Sequence, residues 1–129
     1  IGMEFTETQA IYQQVADHVC EMILRAGWPE EGRIPSVREL AMDLQVNPNT
    51  VNKGYAYLQE RGIIYNQRGI GYFVSNGAAS LTRKLKRSDF VADELPRVFK
   101  TMTLIGMDVA ELSAHWKRFR EATTKGDTP

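Results

Sequence analysis

Two helix-start signals that stand close together constrain this chain more than any other feature. Ser36 is followed by Glu39 at the spacing of a capping box, so a helix is predicted to begin at Val37. Asn47 and Pro48 form the second signal, because asparagine is favoured at the N-cap and proline at the first helical position. The interval between the signals leaves room for one short helix and a tight turn. The sequence therefore predicts a helix-turn-helix.

The second helix is predicted to run from Pro48 to about Arg61, with Gly62 as its C-terminal cap. One side of its helical wheel is apolar and the other is polar and positively charged. The apolar side consists of Val51, Tyr55 and Leu58, with Gly54 at its edge. The polar side consists of Asn49, Asn52, Lys53 and Ala56. Amides and a cation on one short face suit the major groove of DNA, although a solvated amphipathic helix alone would show the same pattern.

A β-hairpin is predicted directly after this helix, between Ile63 and Val74. Two runs of β-favouring residues flank a turn with two glycines, and Arg68 lies near the tip. Helix, turn, helix and hairpin follow one another in the order of a winged helix. A cation beside a glycine at such a tip can approach phosphates or enter a narrow minor groove, whereas an Arg-Gly pair taken alone is typical of an ordinary turn.

Four motifs in this order resemble the GntR family of bacterial transcription regulators. The matching segments are Tyr12–Val15, Gly32–Ala41, Val46–Val51 and Arg68–Val74. The string Asn-Pro-Asn-Thr-Val and the short tail are most similar to the YtrA-like subfamily. The resemblance implies a mainly α fold with a small β-hairpin, in which a winged helix-turn-helix (residues 9–76) precedes a two-helix dimerisation tail (residues 77–125). It also implies a sequence-specific DNA-binding transcription regulator, acting as a dimeric repressor of a nearby operon such as one of transporter genes.

The resemblance also assigns roles to residues of this chain. It implies that Arg38 contacts a phosphate or a base, and that Arg68 and Gly69 form a wing tip in the minor groove. The full implied DNA-binding set is Arg33, Ser36, Arg38, Pro48, Asn49, Thr50, Asn52, Lys53, Arg68 and Gly69.

Two positions depart from the family pattern. Many members carry a basic residue at the position of Asn52. Gly54 stands where alanine is usual, although a glycine inside a helix costs about 1 kcal/mol relative to alanine. We interpret Gly54 as a site of close helix packing.

The charge distribution adds a condition to this hypothesis. The formal net charge is zero, and residues 1–76 contain six Lys and Arg against nine Asp and Glu. Most of these acids belong to the first helix and its exit loop, whereas Arg38, Lys53 and Arg68 are expected on the DNA side. Few phosphate contacts per subunit imply weak binding by a monomer, because counterion release scales with the number of phosphates neutralised. The charge count therefore favours a dimer on a palindromic operator.

The first helix is predicted over about Thr8 to Ala26 and is amphipathic, so it should pack beneath the helix-turn-helix. Cys20 is the only cysteine, which excludes an intrachain disulfide, and it is expected to be a buried core residue. His18 and His115 lie far apart in the sequence and have no spaced partner ligands. No metal, cofactor or catalytic residue is predicted.

The tail is predicted to begin after a short joint at residues 76–80 and to contain two amphipathic helices separated by Gly106. Pro96 either kinks the first of them or marks a new start near Asp93 or Glu94. Two such helices cannot enclose a core, so their apolar stripes need a partner surface, most simply the same tail of a second subunit. The predicted dimerisation residues are Val91, Leu95, Val98, Met102, Leu112, Trp116 and Phe119.

Other functions are less well supported by the sequence. It has no phosphate-binding glycine loop, no nucleophile elbow and no histidine beside a candidate nucleophile, so an enzyme is not expected. A winged helix used for protein or RNA interaction is the alternative. The chain has no transmembrane-length apolar run and no secretory signal, so a cytoplasmic location is expected. An unknown small-molecule effector could bind between two tails or against the first helix, and the basic cluster of residues 83–87 could contact the DNA backbone.

Overall fold

The computed structural model describes residues 10–124 of the chain. The predicted helix start at Thr8 and the outer limits of the two predicted regions, residues 9 and 125, lie outside this range. The elements in chain order are α1 (Ile11–Leu24), α2 (Val37–Leu44), α3 (Pro48–Glu60), β1 (Ile64–Gln67), β2 (Gly71–Val74), α4 (Ala78–Asp89), a π-helical turn (Phe90–Glu94), α5 (Leu95–Ile105) and α6 (Val109–Thr124). The mainly helical fold with one hairpin confirms the predicted fold class.

Both predicted helix starts are confirmed by side-chain caps. The Ser36 hydroxyl accepts the Glu39 backbone N–H at 3.1 Å, and the Glu39 carboxylate accepts the Ser36 N–H at 2.8 Å. The Asn47 side chain accepts the Asn49 N–H at 2.8 Å at the start of α3. Between the two helices, Gln45 adopts a left-handed conformation that ends α2. These local contacts produce the tight turn of the helix-turn-helix.

The end of α3 sets the direction of the hairpin. The N–H of Gly62 donates to Gln59 and that of Ile63 to Leu58, both at 3.0 Å, and Gly62 has a φ of 77°. This bond pair is the Schellman motif, which ends a helix with a left-handed residue and releases the chain at a defined angle. Ile63 and Leu58 are both buried there. The chain then enters β1 directly.

The hairpin is joined by a third extended segment that the sequence did not predict. β1 and β2 pair antiparallel, from Ile64 opposite Val74 to Gln67 opposite Gly71. On the other edge of β2, Arg33 forms an antiparallel bridge with Phe73, and the Ile34 N–H donates to Tyr72 at 2.9 Å. The wing is therefore a small three-stranded arrangement. The third segment is too short, and too close to glycine and proline, to show a strand pattern in the sequence.

The core of the N-terminal region lies between α1, α2, α3 and the wing. Apolar side chains from all of them are buried, and Cys20 is among them, as predicted. α1 and α3 approach closely at Gly54, where an added Cβ would lie 3.1 Å from the Tyr12 carbonyl oxygen and 3.2 Å from Cγ1 of Val15. The interpretation of Gly54 as a close-packing residue is confirmed.

The first part of α4 packs onto this N-terminal core. Ala78 and Thr82 are fully buried. The Glu30 carboxylate accepts the N–H groups of Gly77 at 2.7 Å and Ala79 at 3.3 Å, and Lys86 pairs with Asp17 of α1. The described residues through Lys86 therefore form one compact unit, and those from Arg87 form a second. This division differs from the predicted boundary between residues 76 and 77, because distant contacts hold α4.

Proline explains the irregular helix geometry of the second unit. Pro96 has no N–H, and its ring would clash with the carbonyl four residues earlier in a regular α-helix. The preceding turn is π-helical, with the Leu95 N–H donating to the Phe90 carbonyl, and α5 begins at Leu95 with Pro96 in its first turn. The wider turn accommodates the ring. Pro96 therefore lies in the first turn of α5, directly after a π-helical turn, and Glu94 and Leu95 before it keep right-handed helical dihedral angles without a side-chain cap.

α5 ends at Gly106, which has a φ of 75°, as the sequence predicted. The Asp108 carboxylate then accepts the Glu111 N–H at 3.0 Å, so a side-chain cap begins α6. Within residues 10–124, no helix is both long and apolar enough to cross a membrane.

The left-handed conformation of Gly62 makes a testable prediction. Gly62→Ala should lower the free energy of unfolding by about 1 kcal/mol, because an L-residue with a Cβ is strained at positive φ. Gly62→Asn should lose less, because asparagine tolerates this conformation better. Urea denaturation of both variants measures the difference. Equal stability of Gly62→Ala and the parent chain would contradict the assigned role of the Schellman motif.

Candidate nucleic-acid interface

The two faces of α3 divide as the sequence predicted. Val51, Tyr55 and Leu58 are completely buried. The opposite side is exposed to solvent and consists of Pro48, Asn49, Asn52, Lys53 and Ala56, with Thr50 half-buried at its edge. α3 therefore presents a surface of amides and one cation, groups that can hydrogen-bond base edges and contact phosphates.

Tyr55 fixes the position of α3 relative to its neighbours. Its hydroxyl donates a hydrogen bond of 2.7 Å to the Pro35 carbonyl, directly before α2. Its ring meets that of Tyr72 on β2 edge-on, with centroids 4.8 Å apart. Burial raises the pKa of Tyr55 well above its ordinary value, with smaller contributions from Tyr72 and Glu39. The hydroxyl therefore keeps its proton and remains a donor.

The wing tip is a three-residue turn composed of Arg68, Gly69 and Ile70. The Ile70 N–H donates to the Gln67 carbonyl at 2.9 Å, and Gly69 has a φ of 81°. No atom lies within 4 Å of a Cβ added at Gly69, so glycine is needed there for its backbone conformation and not for space. All three residues are exposed, and Arg68 is presented near the tip as predicted.

The base of the wing is stiffened by an aromatic pair. Tyr65 and Phe73 lie opposite each other in the hairpin register, and their rings stack with centroids 5.6 Å apart. Cross-strand aromatic pairs of this kind stabilise a hairpin by a few tenths to about 1 kcal/mol. The aromatic pair therefore gives the exposed tip a rigid support.

α2 contributes Arg38 and Ser36 to the same region in different ways. Arg38 is exposed and borders a shallow groove whose other lining residues are Ala41, Met42, Val46 and Pro48. Ser36 is engaged in the capping box, which also holds the pKa of Glu39 below its usual value through the Ser36 backbone N–H and hydroxyl. Ser36 therefore has a structural role here that the resemblance did not include.

The structure adds two exposed apolar residues that were not predicted at this surface. Met42 in the groove is 78% exposed, and Ile70 at the wing tip is 54% exposed. Ile70 could have been noticed in the sequence because it lies between the two glycines of the turn. No sequence pattern indicated Met42 as part of this surface, because its neighbours depend on how α2 and α3 cross.

Several carboxylates of the N-terminal unit have partners within that unit. Glu21 pairs with Arg25 at 2.7 Å, Asp17 pairs with Lys86, and Glu30 caps the start of α4. Among the ion pairs of residues 10–124, none involves Arg38, Lys53 or Arg68. The acids thus stabilise the rest of the unit, while these three cations remain available to an anionic partner.

The predicted dimerisation residues differ in their exposure. Val91, Val98, Trp116 and Phe119 are exposed, with Trp116 the most exposed at 58%, whereas Leu95 and Leu112 are half-buried. Met102 is already buried within the single chain, so it cannot offer the open apolar surface that the sequence suggested. Other exposed apolar side chains in the second unit lie outside the predicted dimerisation set, and they are Phe90, Phe99, Leu104, Ile105 and Val109.

Comparisons with known proteins agree with this geometry. A family model described as "Bacterial regulatory proteins, gntR family" matches residues 11–74. The HTH-type transcriptional repressor YtrA of Bacillus subtilis is 31% identical over 116 residues, which cover 90% of this chain and 88% of that protein. A crystal structure of a GntR-family protein from Bacteroides thetaiotaomicron is 41% identical, has a TM-score of 0.70, and the match covers 88% of this chain and 99% of that one.

A third similar structure contains nucleic acid. It is the crystal structure of the DNA-binding domain of AraR in complex with the operator ORR3. The sequences are 28% identical, the TM-score is 0.51, and the match covers 58% of this chain and 88% of that one.

The buried hydrogen bond of Tyr55 leads to a stability prediction. Tyr55→Phe should fold but lose about 1 kcal/mol of unfolding free energy, because the Pro35 carbonyl loses its donor. Tyr65→Phe is the matched control, since the Tyr65 ring stacks on Phe73 and should keep that contact without its hydroxyl. Chemical denaturation measures both variants. Equal losses in the two would contradict an anchoring role for the Tyr55 hydroxyl.

The raised pKa of Tyr55 predicts a pH dependence of stability. Above a pH of about 10 the unfolded chain releases the tyrosine proton while the folded chain retains it, so unfolding becomes more favourable as the pH rises. Tyr55→Phe should remove this contribution. Its unfolding free energy should therefore fall less steeply between pH 9.5 and 11 than that of the parent chain, measured by denaturant titrations at each pH. Parallel curves would contradict the prediction.

Proposed function

Because the chain belongs to the GntR family of bacterial regulatory proteins and is a DNA-binding transcription regulator, we propose that it acts as a dimeric repressor on a palindromic operator. The observation that carries this proposal is the set of three exposed cations around α3. Arg38, Lys53 and Arg68 lie outside the ion pairs of the described residues, while buried Tyr55 joins the elements that present them. The chain works in this proposal by binding, without catalysing a reaction.

In this proposal, α3 enters the major groove and supplies the sequence readout. The exposed amides of Asn49 and Asn52 can pair bidentately with adenine, and Lys53 can reach a phosphate or guanine. Thr50, Pro48 and Ser36 approach the backbone at the start of the two helices, together with Arg38. The solved AraR complex supports DNA binding by a domain of this fold, because that related domain was crystallised with its operator.

The wing tip is proposed to contact the adjacent minor groove. Gly69 lets the backbone approach closely, and Arg68 supplies the positive charge that a narrow minor groove attracts. The stacked rings of Tyr65 and Phe73 stabilise the hairpin that presents this tip. The wing would therefore add phosphate contacts and sensitivity to groove width to the base contacts of α3.

Dimerisation is proposed to occur through the second unit. Its helices expose several large apolar side chains, including Trp116 and Phe119, whose rings stack with centroids 6.4 Å apart. A surface of this composition is typical of an interface. With only three cations presented around α3 in each subunit, two subunits would give the counterion release that strong binding requires. A two-fold dimer would place two α3 helices about one DNA turn apart.

The regulatory direction and the target are inferred from relatives. The similarity to the repressor YtrA favours repression, and the family resemblance favours an operon of transporter genes near the gene for this chain. An effector would act by changing the spacing of the two α3 helices. Its binding site would lie between two copies of the second unit or against α1.

The DNA contacts can be tested with operator DNA selected from a random library by the parent protein. Asn49→Ala should weaken binding about 5- to 150-fold and relax the base preference at one position, because an amide–adenine pair contributes about 1–3 kcal/mol. Lys53→Ala should weaken binding and reduce the salt slope by about one if Lys53 contacts phosphate. Arg25→Ala is the control, since Arg25 pairs with Glu21 on α1. A selection without an enriched palindrome would contradict the proposal.

The dimer can be tested by light scattering coupled to size-exclusion chromatography. The parent chain should be a dimer at micromolar concentration, and Trp116→Asp should shift it toward a monomer because a charge would be buried at the interface. Met42→Asp is the matched control, since Met42 is more exposed than Trp116 but lies in the N-terminal unit. A parent chain that is monomeric under these conditions would exclude this architecture.

A further inference from the structure

Arg33 occupies a position that its sequence neighbourhood did not reveal. Its backbone forms the bridge to Phe73 on the outer edge of β2, so the two side chains lie on the same face of the wing. On this face Phe73 stacks on Tyr65. The next residue of β2 on the same face, toward the tip, is Gly71.

The guanidinium of Arg33 fills the space that the missing side chain of Gly71 leaves. A Cβ added at Gly71 would lie 3.0 Å from Nε, 3.3 Å from Nη2 and 3.4 Å from Cζ of Arg33. The two nitrogens are closer to this point than Cζ is, so the Nε–Nη2 side of the guanidinium is nearest to Gly71. Gly71 pairs with Gln67, the last residue before the tip. Arg33 therefore lies against the base of the three-residue turn.

The charge of Arg33 also acts on the helix-turn-helix. Glu39 lies in the first turn of α2 and is held by the capping box with Ser36. The positive charge of Arg33 contributes to the lowered pKa of the Glu39 carboxyl, after the larger effects of the Ser36 hydrogen bonds. The guanidinium therefore lies against the wing, and its charge acts at the start of α2.

We propose that Arg33 is a positioning residue, whose guanidinium packs beside Gly71 so that the wing tip keeps a fixed position relative to α3. This role replaces the direct DNA contact that the family resemblance implied for Arg33. Glycine at position 71 is favoured by its φ of 146°, and the missing side chain leaves the space beside which the guanidinium lies. The inference rests on the proposed function, because the effect on DNA binding passes through Arg68 and Gly69 at the tip.

A double-mutant cycle between Arg33 and Arg68 separates positioning from direct contact. If Arg33 acts through the wing tip, Arg33→Ala should weaken operator binding in the parent chain but have little further effect once Arg68 is alanine. The expected coupling is about twofold or more, the range for residues that act as a unit. If Arg33 contacts phosphate itself, the two losses should multiply, and Arg33→Ala should reduce the salt slope by about one on its own.

Two further variants make the cycle specific. Arg33→Lys keeps the positive charge but lacks the planar group, so it should not restore binding if packing on Gly71 is required. Full restoration by lysine would overturn the proposal. Arg25→Ala is the matched arginine control, and its effect should multiply with that of Arg68→Ala because Arg25 lies on α1. Denaturant unfolding of each variant confirms that the comparison is made between folded proteins.

An NMR measurement on the free protein tests positioning without DNA. Heteronuclear NOE values at Gly69 and Ile70 should fall in Arg33→Ala and stay unchanged in Arg25→Ala, because only the first variant frees the wing tip. Unchanged values at both residues in Arg33→Ala would overturn the positioning role. If Arg68→Ala leaves DNA binding intact, the proposed contact between the wing and DNA is contradicted. The positioning role of Arg33 is then decided by the NOE values alone.

Discussion

Tyr55 is the residue on which the geometry of the N-terminal unit depends. Its hydroxyl binds the carbonyl of Pro35 at the start of α2, and its ring packs edge-on against Tyr72 in the wing. One buried side chain on α3 therefore holds the two elements on either side of it. Breaking this buried hydrogen bond would leave a donor and an acceptor without partners, which costs free energy. The bond therefore favours one arrangement of α2, α3 and the wing.

The opposite side of α3 depends on Gly54. A side chain there would meet the Tyr12 carbonyl and Val15, so the absence of one lets α1 lie close beneath α3. Gly71 has the same function on the wing, where it makes room for Arg33. The occupied space explains the glycine at position 54, whereas at position 71 the φ of 146° also favours glycine. Close packing at Gly54 thus positions α3 on α1, and Arg33 packs against the wing at Gly71. The exposed faces of α3 and the wing remain accessible to DNA.

The acidic and basic residues of this DNA-binding regulator have different roles. The carboxylates of Asp17, Glu21 and Glu30 take part in ion pairs and a helix cap away from the exposed face of α3. A region with more acids than bases, such as residues 1–76, can therefore bind an anionic polymer, because field and contact depend on where charges lie more than on their sum. The small number of available cations is consistent with the proposed need for two subunits.

The sequence by itself determined the elements whose causes are local. Ser36 with Glu39, Asn47 with Pro48, and Gly62 specify helix ends through neighbours a few residues away, and the faces of α3 follow from its period. Roughly the whole winged helix and the exposure of its candidate DNA-binding residues were predicted in this way. Only the tertiary structure decided the pairing of the third extended segment, at Arg33, with β2. It also decided the cap that Glu30 supplies to α4 and the burial of Met102. Each of these depends on groups distant in the sequence or on packing of whole helices, and no local pattern records such contacts.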